Sequence, residues 1–383
     1  MSRTSEEIFG VGIIGCGNIS TTYLDLIPLF RGIEVRAVAD IVPEAAKVRA
    51  REYGLEAQSI EDILENPRLD VIINLTIPEA HYSVTKSIIS ASKHAYSEKP
   101  LVLSIKEGLD LKALAEQKGV QVGCAPDTFL GGAHQQARHM VDGGEVGKIT
   151  SGTCHVMSAG MESWHPNPDF FFRPGGGPIL DLGPYYVSNL INLLGPVVRV
   201  TAFANAAKNE RTIGSGPRAG EKVPVSTPTT IHAVLEFEGG ALITLGASWD
   251  VVAHGHNPME LYGDKGTIFL PDPNFFGGEL FVADSTSMKK PVAPWDHPLG
   301  VANQGEEGTK LTQANYRAAG LAEMMSAVGQ GGKPRCSLEM ALHSVEVLTG
   351  ILKSAETGSA VLMKTSCARP EALGPQAARA LLR

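Results

Sequence analysis

The first third of the chain alternates two patterns of apolar and polar positions. Short runs rich in β-branched residues, at Val11–Ile14, Val35–Ala39, Val71–Leu75 and Val120–Gly123, carry few polar interruptions. Strands covered on both faces of a parallel sheet read this way, whereas a half-exposed strand alternates. Amphipathic stretches separate them, beginning with Ile19–Leu29. Ser59 to Asp62 and Ser104 to Glu107 have the spacing of a capping box, and Gly54 and Gly119 stand where C-terminal caps are expected. Repeated βα units with right-handed crossovers predict an α/β fold with an open, doubly wound parallel sheet.

Beyond about residue 127 the texture changes. Ile149–Met157, Val198–Phe203, Thr229–Phe237, Ala241–Ser248 and Met259–Tyr262 follow one another more directly, with Glu238-Gly239-Gly240 as a hairpin turn. One helix, Asp181–Leu194, interrupts them, and Lys208–Pro228, polar and rich in Gly and Pro, is predicted as a long loop. Helices near Ala314–Val328 and Ser337–Ala355 close the pattern. The expected division is therefore a doubly wound domain over 1–127 and an α+β domain over 128–365. The latter carries a mostly antiparallel sheet, and its closing helices are expected to pack back between the domains. Residues 366–383 are left as a docking arm or a loose tail.

Composition narrows the classes. The 383 residues, 43% hydrophobic and 19% charged, suit a soluble protein of about two domains. A net charge of −8 without a basic cluster argues against nucleic acid or an anionic membrane as partner. The first ten residues show no export signal, and no apolar stretch reaches membrane-spanning length. Five scattered cysteines read as reduced thiols of a cytoplasmic protein rather than a disulfide framework. His254 and His256 alternate suggestively, but no third ligand converges in sequence, so no metal site is expected.

The chemistry concentrates in two stretches. Gly15-Cys16-Gly17-Asn18-Ile19-Ser20 follows an apolar strand and opens a helix, the setting in which a glycine turn cradles a dinucleotide. Gly15 allows the tight turn, Gly17 lets the backbone approach a pyrophosphate, and Asn18 and Ile19 begin a helix whose N–H groups attract that anion. About twenty residues on, Asp40 ends the second strand, where its carboxylate can accept the ribose hydroxyls and repel a 2′-phosphate. That favours NAD over NADP. The second constellation is Lys99, placed before a proline at a strand end, together with Asp181 and Tyr185 four residues apart on one helix face. Alcohol oxidation requires a proton acceptor, and an ammonium group stabilises developing alkoxide charge. The glycine run Gly175–Gly177 precedes that helix and permits close approach by a ligand.

Glu98-Lys99-Pro100, the stretch Gly175–Gly195 and the glycine turn upstream together resemble the Gfo/Idh/MocA family of oxidoreductases, from residue 10 to about 355. The resemblance implies a Rossmann domain joined to an open-faced, mostly antiparallel α/β domain. It implies Glu98 and Lys99 near the coenzyme, with Thr76 and His81 beside the nicotinamide ribose, although the proline of that motif has slipped to Pro78. It implies Lys99, Asp181 and Tyr185 as the catalytic set, Tyr185 standing where many members carry His. Asp127, Thr128 and Phe129 take the place of substrate contacts at the domain crossover. Trp164, His165 and Arg173 read as pocket wall. The expected activity is NAD-dependent oxidation of a small cyclic sugar or polyol, leaning towards aldose C1 to lactone, with pentoses such as apiose as first substrates. The alternatives are a glycoside hydrolase that oxidises its substrate transiently with NAD, and a non-catalytic NAD-binding sensor. The expected assembly is a homodimer or homotetramer through the open sheet face.

Overall fold

The computed structural model describes residues 8–286, 288–305 and 310–383. These residues divide into two compact units. The first comprises the chain to Gly132 with Asp296–Val345 and Pro370–Arg383; the second comprises Ala133–Trp295 with Glu346–Arg369.

The first unit is built on six parallel strands: β1 (Phe9–Ile14), β2 (Ile33–Ala39), β3 (Glu56–Ala57), β4 (Val71–Asn74), β5 (His94–Ser97) and β6 (Val122–Cys124). Their spatial order, β3-β2-β1-β4-β5-β6, reverses direction at β1, which makes the sheet doubly wound. β4 is buried at every position, and β1 from Gly10 onward, which explains their unbroken apolar runs. Between the strands run α1 (Asn18–Leu26), α2 (Pro43–Tyr53), α3 (Ile60–Glu65), α4 (Pro78–Ser90) and α5 (Ile105–Lys118). α1 stops short of the expected Leu29 because Pro28 cannot continue it, and a 3-10 turn follows. Gly54 and Gly119 end α2 and α5 with φ of +67°. Ser104 and Glu107 form the full capping box, whereas Asp62, one methylene shorter than Glu, turns its carboxylate to the Ser59 hydroxyl instead.

The linear division at residue 127 needs correcting, because Asp296–Val345 and the chain end cluster with the first unit. The last residues are a docking arm. Helix Pro375–Leu381 forms there, Arg383 N–H donates to Leu29 O at 2.9 Å, and Arg31 N–H donates to Leu381 O at 2.8 Å. Burial of Ala378 and Leu381 fixes this helix, a cue too short to read in sequence.

The second unit carries a nine-stranded sheet. Its strands are β7 (Ile149–Met157), β8 (Val197–Asn205), β11 (Thr230–Phe237), β12 (Leu242–Ser248), β13 (Met259–Gly263), β14 (Thr267–Leu270), β15 (Phe281–Ala283), β16 (Lys290–Pro291) and β17 (Val361–Leu362), with β9 (Glu210–Thr212) and β10 (Lys222–Pro224) forming a separate ribbon. All neighbours in the large sheet are antiparallel except β12 and β7. Gly240, at φ +87°, turns β11 into β12 as expected. Along β11, Ile231, Ala233, Leu235 and Phe237 are buried while His232 and Val234 are exposed. The exposed face also presents Phe203 at 79% and Leu242 at 49% exposure.

Two expectations fail in this unit. Lys208–Pro228 is not a loop throughout, because β9 and β10 pair within it as an antiparallel ribbon. Only Arg211 and Val223 in those strands are buried, so no hydrophobic period announces them. The helix expected over Asp181–Leu194 begins earlier and is broken into α7 (Pro178–Asp181) and α8 (Gly183–Leu194), preceded in the unit by α6 (Gly132–Asp142). Pro184 has no N–H to donate to the preceding turn, so the ladder lapses at Leu182.

Candidate functional site

In the first unit, β1 runs into Gly15, whose φ of +105° is a region L side chains avoid. A Cβ there would lie 2.6 Å from the Leu75 carbonyl, so the turn needs glycine on both counts. Gly17 has nothing within 4 Å of where a Cβ would stand, which leaves its backbone approachable. α1 starts at Asn18 without a side-chain cap and without an acidic residue in its first turn. Such a helix N-terminus attracts an anion. Ser20 Oγ donates to Gly17 O at 2.6 Å and pins the turn. Asp40 accepts Cys16 N–H at 2.7 Å on one oxygen and Val42 N–H at 2.8 Å on the other. Its carboxylate is thereby fixed against the glycine turn, where a ribose diol would meet it. These residues fit the diphosphate and ribose of a dinucleotide. Burial pushes the Cys16 thiol up to about 11, so it stays protonated beside them.

Lys99 follows β5 on the same sheet edge, because β1, β4 and β5 are adjacent and parallel. Glu98 braces it: one carboxylate oxygen accepts the Tyr23 hydroxyl at 2.9 Å, the other accepts Lys99 N–H at 3.0 Å. Burial first, and the Glu98 charge second, push the Tyr23 phenol well above its ordinary value, so it remains the donor. Thr76 donates its hydroxyl to Asn74 Oδ1 at 2.6 Å. His81 is 1% exposed, with its ring nitrogens 2.6 Å from Pro100 O and 3.0 Å from Thr76 O. Both ring nitrogens thus lie against main-chain carbonyls, so that His81 ties the turn after Lys99 to the turn at Thr76.

Asp127, Thr128 and Phe129 are at most 2% exposed. One Asp127 oxygen accepts the N–H groups of Ala318 and Gly320, both at 3.0 Å, and so caps helix Ala319–Gly329. Burial raises this carboxyl to about 6 against the pull of those bonds.

In the second unit, Asp181 ends α7 and Tyr185 lies in the first turn of α8, both half-buried. Because the ladder lapses between them, their spacing of four is not the regular helical step assumed from sequence. Gly177, at φ +88°, opens α7 with its Cβ position 3.0 Å from Pro228 O, a close approach that glycine permits. Tyr186 is structural, its hydroxyl 3.2 Å from His155 O and 3.3 Å from Asp272 Oδ1. Trp164 is 61% exposed, Arg173 is exposed, and His165 sets its edge against Phe170 and Phe171. A cavity of about 410 Å³ lies by the β9–β10 ribbon, lined among others by Glu162, Lys208, Arg211 and Lys222, and by none of the expected catalytic residues. His256 stacks on His155 with ring centroids 3.9 Å apart. Among the described residues no three His, Cys, Asp or Glu side chains are gathered around a metal position.

Comparison with known proteins now decides the family. Residues 9–125 match the oxidoreductase family model with an NAD-binding Rossmann fold, and residues 134–269 match the GFO/IDH/MocA C-terminal domain. The chain belongs to the GFO/IDH/MocA family. This family member is 22% identical over 364 residues to 1,5-anhydro-D-fructose reductase of Ensifer adhaerens, covering 92% of this chain and 98% of the relative. Its fold superposes on an NAD binding oxidoreductase from Klebsiella pneumoniae with a TM-score of 0.79 at 21% identity, covering 93% and 99% of the two chains. A levoglucosan dehydrogenase in complex with NADH and L-sorbose gives 0.78 at 21% identity, covering 94% and 100%. The chain is thus an oxidoreductase with an NAD-binding Rossmann domain, and no helix among the described residues is long and apolar enough to cross a membrane.

Sequence reasoning missed Tyr23 and Arg49 in the coenzyme half of this oxidoreductase. Arg49 of α2 reaches the Cys16 carbonyl at 3.5 Å while paired with Glu52 at 2.6 Å. Neither has a sequence signal: Tyr23 reads as the apolar face of α1, and Arg49 as one more helix charge.

Proposed function

We propose that this protein oxidises a carbinol of a small cyclic sugar or polyol with NAD, aldose C1 to lactone being the first reaction to test and pentoses such as apiose the first substrates. One observation carries the reading: the uncapped glycine turn with its fixed carboxylate shares a sheet edge with a braced lysine. The similarity to an anhydrofructose reductase and a levoglucosan dehydrogenase supports the substrate class.

NAD supplies the hydride acceptor. As the carbinol carbon gives up its hydrogen with both electrons, the hydroxyl proton must pass to a protein group. Lys99 takes that proton, with Asp181 and Tyr185 as the other members of the proposed catalytic set, Tyr185 orienting the hydroxyl. Thr76 and Glu98 serve the coenzyme by setting the turns around Lys99, and Trp164, His165 and Arg173 meet the sugar. Asp40 repels a 2′-phosphate, so NAD is preferred to NADP. The protein assembles through the sheet face bearing Phe203, Val234 and Leu242, whose exposure is unusual for a monomer.

An aldose and polyol panel followed by NADH absorbance, with NAD and NADP in parallel, tests the reading. Lactone formation with NAD supports it. Phenol release from p-nitrophenyl glycosides without net NADH assigns a hydrolase instead, and NADH binding without turnover assigns a sensor. Sedimentation as a monomer at micromolar concentration overturns the assembly.

A further inference from the structure

The β9–β10 ribbon, which the sequence presents as a loop, is stitched to the segment 159–177 that carries Trp164, His165 and Arg173. Arg211 is the centre of the stitch. Its side chain is 3% exposed, and its guanidinium donates to Glu162 Oε1 at 2.9 Å, to Trp249 O at 3.3 Å and to Asp250. Glu162 and Asp250 are each 12% exposed, so one buried cation faces two nearly buried carboxylates. Asp250 is held in turn by the Thr229 and Thr230 hydroxyls, each at 2.7 Å. The main chain repeats the link. Gly214 N–H donates to Glu162 O at 2.7 Å, and Ser226 N–H to Phe172 O at 2.8 Å. A Cβ at Gly214 would lie 3.0 Å from Ser163 O and one at Gly216 2.7 Å from Pro166 Cβ, close approaches that glycine permits. Phe172, Ile213, Val223 and Trp249 form one buried cluster under the stitch. At the ribbon's tip, Arg218 forks onto Asp169 from the partly exposed surface.

We propose that this ribbon is the specificity-setting element of the enzyme, with Arg211 the positioning residue that fixes segment 159–177 in its sugar-binding form. The proposal rests on the functional reading above, which assigns Trp164, His165 and Arg173 to the substrate. The physics is asymmetric. Removing Arg211 leaves two nearly buried carboxylates without their cation, which drives the segment off the ribbon. Removing Arg218 breaks only a partly exposed pair. Lysine at 211 restores the charge but not the planar fork that serves two carboxylates at once. None of these residues belongs to the Rossmann domain, so coenzyme binding serves as the internal control.

The test compares the parent with Arg211→Met, Arg211→Lys and Arg218→Ala. Each is measured for kcat and KM on the best sugar of the panel, for the ranking of the panel by kcat/KM, for NADH affinity by fluorescence, and for chymotryptic cleavage within 159–177 mapped by mass spectrometry. Arg211→Met is expected to open cleavage after Trp164 or Phe170, raise KM about tenfold or more, reorder the panel, keep kcat within about threefold and leave NADH affinity at the parent value. Arg211→Lys recovers part of the KM, and Arg218→Ala changes it by about twofold or less. Cleavage that appears while KM and ranking stay at parent values overturns the proposal. So does a joint loss of kcat and NADH affinity in Arg211→Met that Arg211→Lys reproduces in full, since the residue then merely holds the fold. Should the parent oxidise no sugar, the functional reading is what fails, and the cleavage map decides the stitch: equal protection of parent and Arg211→Met overturns it.

Discussion

The coenzyme end of the first unit and segment 159–177 of the second are held by different forces. Around Gly15, Asp40 and Lys99 the ties are short and mostly involve main chain: Cys16 N–H to Asp40, Lys99 N–H to Glu98, and Pro100 and Thr76 carbonyls to His81. In segment 159–177 main-chain bonds from Gly214 and Ser226 are joined by ties between two long charged side chains, Arg211 to Glu162 and Arg218 to Asp169. The main-chain half of each such tie persists whatever residue stands there, proline excepted, so only the side chain of Asp40, Glu98 or His81 has to be kept. Charged side-chain ties vanish with one codon. A chain built this way can keep its coenzyme chemistry while its substrate preference changes.

The strongest way to break that comparison is Lys99→Ala. Turnover is expected to fall by ~100-fold or more while NADH affinity stays near the parent value. Parent-like turnover removes Lys99 from proton transfer, and lost NADH affinity makes it part of the coenzyme scaffold. Next in size is Asp40→Ala, expected to weaken NADH about tenfold, which is ~1.4 kcal/mol, and to leave NADPH unchanged or improved in a fluorescence titration. Equal losses for both coenzymes take Asp40 away from the ribose. Tyr185→Phe should lower turnover by about tenfold with its pH profile unmoved, if the phenol orients rather than accepts the proton; a large alkaline shift of the profile would make Tyr185 the base.

The smallest expected effect contrasts the two units through their buried titrating groups. Burial raises Asp127 in the first unit to about 6 and lowers His134 in the second to about 4. For the acid, the folded state binds the proton more tightly than the unfolded chain, so its contribution to stability declines as pH rises from about 4 to about 6. For the imidazole the unfolded chain binds the proton more tightly, and its contribution grows over about 4 to 6.5. Urea midpoints measured across that window should rise more steeply with pH in Asp127→Asn and less steeply in His134→Gln. The same slope in both variants and the parent contradicts the assignment.

The parallel sheet was legible because strands buried on both faces leave a plain mark, and Gly15 because a left-handed turn admits little else. The structural partners of Asp127 were hidden for the opposite reason. A carboxylate at a crossover looks like a ligand, but its partners are the N–H groups of Ala318 and Gly320, nearly two hundred positions away. The same holds for His81: a histidine in a family motif gives no hint that both ring nitrogens lie against main-chain carbonyls.

What the amino-acid order determined by itself was local: apolar period, caps, the glycine turn and the carboxylate after β2. These depend on neighbours within a few residues, where sterics and hydrogen bonding act at once. What only tertiary structure decided was which polar side chains are spent on holding the chain, as with Arg211, Asp127 and His81, and where a helix such as α7 yields to its successor. Burial makes such groups costly unless paired, and pairing across long stretches of chain depends on the folded backbone, which no short window of sequence encodes.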